Sequence, residues 1–158
     1  MSSEINPELF RNNLTVLLDE TFERVEGIFL DKGTSLFETL DGLGADEASR
    51  PIIPGGTRIA AHTEHIRFYL DVLIDYMQGK KSDKINWRDS WKVQIVNDTE
   101  WRELQRRLHD SHRRVLDLIK ECGNWNDERF LGGALGIAAH TAYHLGAVRQ
   151  ILRAVKAS

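Results

Sequence analysis

Apolar residues recur at steps of three and four in four long segments, and this period predicts four amphipathic α-helices. The segments run from about Pro7 to Leu30, from Thr57 to Gln78, from Asn97 to Cys122 and from Gly133 to Val155. Charged and polar residues lie mostly on the opposite face of each segment, as expected for helices that pack around one core. The pattern therefore predicts an all-α protein.

The predicted helices are joined by two long connections and one short one. The connection 31–56 is rich in glycine and proline, which indicates turns, although Ser35 to Leu40 and Asp46 to Ser49 each have the pattern of a short helical turn. In the connection 80–97, a short strand at Lys92–Val96 is an alternative to a loop. Connections of this length favour a four-helix bundle with crossovers over a simple up-down-up-down bundle.

Composition narrows the class of protein. The 158 residues suit a single domain spanning 1–158, and the hydrophobic fraction of 41% is ordinary for a globular protein. The net charge of −3 is spread along the chain, so we expect no nucleic-acid partner. No run approaches the roughly 20 apolar residues of a membrane span, so we expect no membrane partner. The one cysteine, Cys122, fits a reducing compartment and a packing role, and we expect a cytoplasmic protein.

Six histidines fall in the last three predicted helices, and most of them lie at or near core-facing positions. His140 and His144 stand four residues apart, which places both on one helix face. His62 lies at the centre of the second helix's apolar stripe and His65 at its edge, while His112 lies on the core line of the third helix. A shared metal ion is the simplest common reason for burying these imidazoles together. The alternative is that each is a core histidine bonded to a carbonyl group or water.

Three stretches of the chain resemble the DinB-like family of metal-binding four-helix bundles, which includes bacterial thiol transferases. They are Ser35-Leu-Phe-Glu-Thr-Leu40 through Pro51, Thr57-Arg-Ile-Ala-Ala-His-Thr-Glu-His65-Ile, and His140-Thr-Ala-Tyr-His144-Leu-Gly-Ala-Val-Arg149-Gln. The resemblance covers nearly the full length. It implies an up-up-down-down bundle, frequent dimers, and a triad of His65, His140 and His144 on a divalent metal, most often nickel or zinc.

The second helix offers two candidate ligands, His62 and His65. Periodicity favours His62 as the more buried histidine, whereas the register of the family motif, in which the ligand follows Ile59 by six residues, favours His65. We follow the register, because a ligand at the rim of the core reaches a site that substrate can enter. Where His62 stands the family motif has an aliphatic residue, so His62 is either a core residue, a neighbour of the ligands or a fourth ligand. For His112 we favour a hydrogen-bonded core residue over a ligand.

We weigh two functions, of which the resemblance implies the first. The first is a metal-dependent hydrolase or thiol S-transferase acting on a small molecule. Tyr69 is a candidate for proton transfer, although we favour a core tyrosine with a buried hydroxyl partner, and Arg149 is a candidate for holding an anionic substrate. The second is a non-catalytic, metal-stabilised, stress-related binding module. Trp87 and Trp91 lie in a polar connection, which predicts either a homodimer interface or a cover over the bundle end.

Overall fold

A computed structural model describes residues 5–81 and 84–157; the predicted domain bounds, 1 and 158, lie outside this part. Four long helices form the bundle, and the described residues contain no strand, so the predicted all-α class is confirmed. The long helices are α1 (Pro7–Phe22), α4 (Ile59–Met77), α5 (Asp98–Glu121) and α6 (Glu128–Ala157). Two short helices, α2 (Leu36–Asp41) and α3 (Ala45–Ala48), interrupt the first connection, and a 3-10 helix (Trp87–Trp91) interrupts the second. None of the described helices combines the length and the apolar run that crossing a membrane requires.

The first helix ends at Phe22, and the prediction that it continues to about Leu30 was wrong. The reason is the buried carboxylate of Glu20, which accepts hydrogen bonds from four backbone N–H groups between residues 26 and 30, at 2.6–3.1 Å. Burial alone raises the pKa of Glu20, but the four donors together lower it to about 2. The chain therefore turns back through Gly27, where φ is +89°, and the apolar spacing beyond α1 produces no helix.

Two further features differ from the prediction, the start of α6 and the structure of residues 92–96. Helix α6 begins at Glu128, five residues before Gly133, because Asp127 accepts backbone hydrogen bonds from the first turn. The alternative of a strand at Lys92–Val96 was also wrong, since these residues lie in no strand. The backbone N–H of Val96 donates to the hydroxyl of Ser49 at 3.0 Å, so a side chain takes the place of a partner strand. The short helical turns predicted near 35–40 and 46–49 are confirmed as α2 and α3.

The direction of α5 relative to α4 follows from contacts along their length. The carboxylate of Asp71, in the middle of α4, accepts hydrogen bonds from Ser111 and Arg114 in the middle of α5. Residues at the start of both helices line one cleft, and residues at the end of both line another. Helices α4 and α5 are therefore parallel. Helix α6 is antiparallel to α4, since residue 133 contacts residue 77 and residue 140 contacts residue 65.

Helix α1 is antiparallel to α5. Near its start, the guanidinium of Arg11 donates to the carbonyl oxygen of Cys122 at 3.0 Å, and at its end the Phe22 ring stacks on His112. The order of the four long helices is therefore up-down-down-up, and the predicted up-up-down-down order was wrong. Two consecutive parallel helices need a connection that runs back along the whole bundle, and here the connection between α4 and α5 does so. Both long connections are long enough for this, so their lengths alone did not reveal which helices are parallel.

Helices α4 and α6 approach each other closely where α6 carries glycine. An added Cβ at Gly133 would lie 2.5 Å from Cγ of Met77, and one at Gly136 would lie 3.1 Å from the hydroxyl of Tyr69. At Gly132, by contrast, an added Cβ would meet no atom within 4 Å. Gly133 and Gly136 thus permit a contact between helices that a larger residue would obstruct.

We predict opposite effects for alanine at these neighbouring glycines. Gly132→Ala should stabilise the protein by up to about 1 kcal/mol, because alanine has the higher helix propensity and space is free. Gly133→Ala gains the same propensity but should be less stable than Gly132→Ala, because its methyl group overlaps Met77. Urea unfolding of both variants measures the difference. Equal free energies of unfolding would show that Gly133 is not required for the packing of α4 against α6.

Candidate metal centre

The three histidines predicted as a triad come together between α4 and α6. His65 projects from α4, and His140 and His144 project from successive turns of α6. One nitrogen from each ring lies within 4.8 Å of the other two. Nε2 of His65 and Nε2 of His140 are 3.1 Å apart. His65 and His144 are buried and His140 is half-buried, so the cluster lies just beneath the surface.

The proton position on His65 is determined by its neighbour in the 3-10 helix. The buried hydroxyl of Ser90 donates its single proton to the carbonyl oxygen of Trp87 at 2.7 Å. The same oxygen lies 2.7 Å from Nδ1 of His65, so it must accept from that nitrogen. A neutral His65 therefore carries its proton on Nδ1 and directs the lone pair of Nε2 toward His140. A fixed tautomer of this kind is typical of histidines that bind metal.

His62 lies beside the cluster rather than in it. Its Nδ1 is 3.0 Å from Nδ1 of His144, and its Nε2 is 3.2 Å from the hydroxyl of Thr57. Both ring nitrogens are thus engaged by hydrogen-bond partners, and the group of three ligand atoms does not include either of them. Of the alternatives left open by the sequence, the position next to a ligand is the one His62 occupies.

Aromatic rings cover two of the three histidines. The indole of Trp91 stacks on His65 with ring centres 4.1 Å apart, and the ring of Tyr69 stacks on His140 at 3.6 Å. Trp87 lies beside Tyr69, at 5.9 Å. Sequence reasoning missed Ser90 and the stacking role of Trp91. The available signal was Asn86, whose side chain caps the turn that presents both residues to α4.

Burial keeps the clustered imidazoles neutral. Desolvation lowers the pKa of His140 to about 4 and that of His144 to about 3, with smaller contributions from neighbouring histidines. Desolvation also lowers the pKa of His65, and it lowers that of His62 to about 4. At pH 7 all four rings are therefore uncharged, which is the state in which imidazole binds a metal ion.

The arrangement fits a divalent metal ion. Two nitrogens that bind one tetrahedral ion at about 2.0–2.1 Å lie about 3.3 Å apart, which is close to the 3.1 Å between His65 and His140. Nε2 of His140 faces Nε2 of His65, so this ring would coordinate through Nε2, while its Nδ1 is buried without a hydrogen-bond partner. Three imidazoles without a cysteine or carboxylate make up the cluster found in the described residues.

His112 lies outside this cluster, in the core between α1 and α5. It is 1% exposed, its ring stacks on Phe22, and its Nδ1 lies 3.2 Å from a carboxylate oxygen of Glu23. Desolvation, the largest influence, lowers its pKa to about 3. The predicted core position of His112 is therefore confirmed, with Nδ1 facing Glu23 and Nε2 buried without a hydrogen-bond partner.

The two residues considered for catalysis lie in different surroundings. Tyr69 contacts His140 directly, and burial raises the pKa of its phenol, which stays protonated at neutral pH. Arg149 lines a cavity of about 260 Å³ beside α2, whose lining contains none of the three histidines. Arg153 and Lys156 line the same cavity.

Comparison with known proteins adds one finding to this geometry. The sequence model of the DinB superfamily matches residues 31–148, a range that contains all three clustered histidines. The chain matches no curated protein and no solved structure at significant similarity. The family match thus agrees with the resemblance found in the histidine motifs.

The lowered pKa values predict how stability depends on pH. Unfolded histidine takes up a proton below about pH 6.5, whereas the folded rings resist protonation until about pH 4, so acid favours the unfolded state. The free energy of unfolding of metal-free protein should fall between pH 6.5 and 5 by up to about 1.4 kcal/mol per pH unit for each such ring. His112→Phe, which removes one of these rings, should flatten the slope in urea unfolding. Constant stability from pH 7 to 5 would contradict this account.

Proposed function

Because the chain belongs to the DinB superfamily, we propose that His65, His140 and His144 bind a divalent metal ion, either nickel or zinc. The observation that carries the proposal is the convergence of three imidazole nitrogens within 4.8 Å. The hydrogen bond to Ser90 supports it, because this bond directs a lone pair of His65 into the cluster.

We further propose that the protein is a hydrolase or thiol S-transferase acting on a small molecule. Three protein ligands are typical of catalytic sites, where a further position takes water or substrate. A divalent ion at such a site lowers the pKa of water or of a thiol toward neutrality and so supplies a nucleophile. The partial exposure of His140 gives a small molecule a route to the cluster.

Tyr69 and Arg149 are the proposed partners of the histidines. The neutral phenol of Tyr69, stacked on His140, is suited to donate a hydrogen bond or a proton to a leaving group. Arg149 lies five residues beyond His144 on α6, and with Arg153 and Lys156 it gives its cavity three cationic side chains. With three cationic side chains against the one carboxylate of Glu38, the cavity is suited to the anionic end of an extended substrate.

A non-catalytic, metal-stabilised binding module is the second candidate. The observation that favours it is the aromatic cover over His65, which is 8% exposed beneath the stacked indole of Trp91. In that case the metal would mainly join α4 to α6. Removing the metal would then lower the melting temperature, and the metal-loaded protein would have no catalytic activity.

A homodimer in the cytoplasm is the proposed assembly and location, with no nucleic acid or membrane as partner. The outward face of α6 supports a dimer, because residues 130–148 include no Asp, Glu, Lys or Arg. Leu135, Ala139 and Tyr143 are exposed on this face. Trp87 is 42% exposed but also contacts α4, which makes α6 the better candidate surface.

Removing a ligand should remove the metal. We expect His65→Ala and His144→Ala to lose stoichiometric zinc or nickel in elemental analysis, because two imidazoles hold a divalent ion far more weakly than three. His109→Ala is the matched control, since His109 stacks on Phe37 outside the cluster and should retain the metal. Full loading of both ligand variants would overturn the assignment.

The enzymatic proposal is tested on the same proteins. Metal-loaded wild type should act on at least one substrate in a screen of thiol transfer and of ester and amide hydrolysis, and Tyr69→Phe should reduce the rate by about 10²- to 10⁴-fold if its proton is used. Chelation and His144→Ala should abolish the activity. If activity survives both, the chemistry is not that of the metal site. Absence of activity together with a large metal-dependent rise in melting temperature would favour the binding module.

The dimer proposal is tested by light scattering at micromolar concentration. Wild type should have twice the mass of the chain, and Leu135→Arg should be monomeric because it places a charge on the apolar face. Ile95→Arg, at an exposed apolar residue away from α6, should leave the dimer intact. A monomeric wild type would rule the homodimer out.

A further inference from the structure

The buried imidazole of His62 contacts a member of the metal cluster and has no part in the function proposed so far. Its Nδ1 lies 3.0 Å from Nδ1 of His144, and its Nε2 lies 3.2 Å from the hydroxyl oxygen of Thr57. The three groups thus form a chain that runs from the exposed Thr57 through His62 to His144. His62 is 6% exposed, so water gives it little alternative hydrogen bonding.

The number of protons available determines which group donates and which accepts in this series of hydrogen bonds. Two facing Nδ1 atoms make a hydrogen bond only if one of them carries a proton. If His144 presents the lone pair of Nε2 to a metal ion, its own proton must be on Nδ1, and it then donates to Nδ1 of His62. The proton of neutral His62 must consequently be on Nε2, where it faces an oxygen of Thr57 that is able to accept. Every group in the chain is then satisfied.

We propose that His62 is a positioning residue that holds His144 in the tautomer and ring orientation needed for metal binding, with Thr57 holding His62 in turn. The inference rests on the proposed metal site. It pairs with the role of Ser90, which accepts from Nδ1 of His65 in the same manner. Two of the three ligands would then be oriented by a hydrogen bond that their Nδ1–H donates, His65 to Ser90 in the 3-10 helix and His144 to His62 in α4.

Zinc affinity, measured by competition with a chelator, tests the role of the acceptor. His62→Leu removes it and should weaken zinc binding by about 10-fold or more. His62→Asn should bind within a few-fold of wild type, because its amide oxygen occupies nearly the position of Nδ1 and accepts the same hydrogen bond. Thr57→Val leaves the ring in place and should have a smaller effect than His62→Leu, while Thr57→Ser should resemble wild type.

Nitrogen-15 spectra of histidine-labelled protein give a readout other than affinity. In the zinc-loaded wild type, His62 should be neutral with its proton on Nε2, and His144 should coordinate through Nε2. If His62→Leu is folded by circular dichroism and binds zinc as tightly as wild type, the inference is overturned. Coordination of zinc by His62 would also overturn it. If wild type binds neither zinc nor nickel, the proposed function itself fails, and the positioning role with it.

Discussion

The antiparallel contact between α4 and α6 is the constraint on which the candidate metal centre depends. His65 and His140 belong to different helices, and their Nε2 atoms come within 3.1 Å only because the two backbones approach closely one and two turns away. Gly133 and Gly136 permit that approach, since an added Cβ at either position would press on Met77 or Tyr69. The glycines lower helix propensity, but they place the ring of Tyr69 directly on His140.

The second constraint is that neutral imidazoles are buried and need hydrogen-bond partners. This need explains the polar residues around the cluster. A buried ring needs partners for both of its nitrogens, and an unsatisfied one costs free energy. Ser90 satisfies His65 from the 3-10 helix, and His62 satisfies His144 from within α4. Nδ1 of His140 has no such partner, and stacking on Tyr69 is what holds this ring. The nitrogens that remain converge on one another, as the ligand atoms of a metal site do.

Much of this arrangement could be predicted from the sequence, because it rests on local spacing. The four-residue step from His140 to His144 put both on one helix face, and the register of the second-helix motif selected His65 over the more central His62. Features that depend on contacts between residues far apart in the sequence could not be predicted from local spacing. The carboxylate of Glu20 ends α1 by binding backbone that lies beyond it, although the apolar period continues.

The order of the helices and the role of Ser90 have the same origin. Up-up-down-down and up-down-down-up bundles have similar apolar stripes, and the difference lies in which long connection returns along the bundle. Ser90 lies in a polar connection 25 residues from His65, and no periodicity relates the two. Ser90 fixes the proton of His65 because its own hydroxyl proton is donated to the carbonyl oxygen of Trp87, and only the structure reveals that hydrogen bond.

X-ray absorption spectroscopy of the zinc-loaded protein is the most direct measurement of the central conclusion, because it reports the type and number of ligands around the ion. The structure predicts three imidazole nitrogens at about 2.0–2.1 Å with additional light-atom scattering from water, and no sulfur. His144→Ala should lose this signature. A shell with a sulfur ligand, or one that is unchanged in His144→Ala, would contradict the assignment of His65, His140 and His144 as the metal ligands.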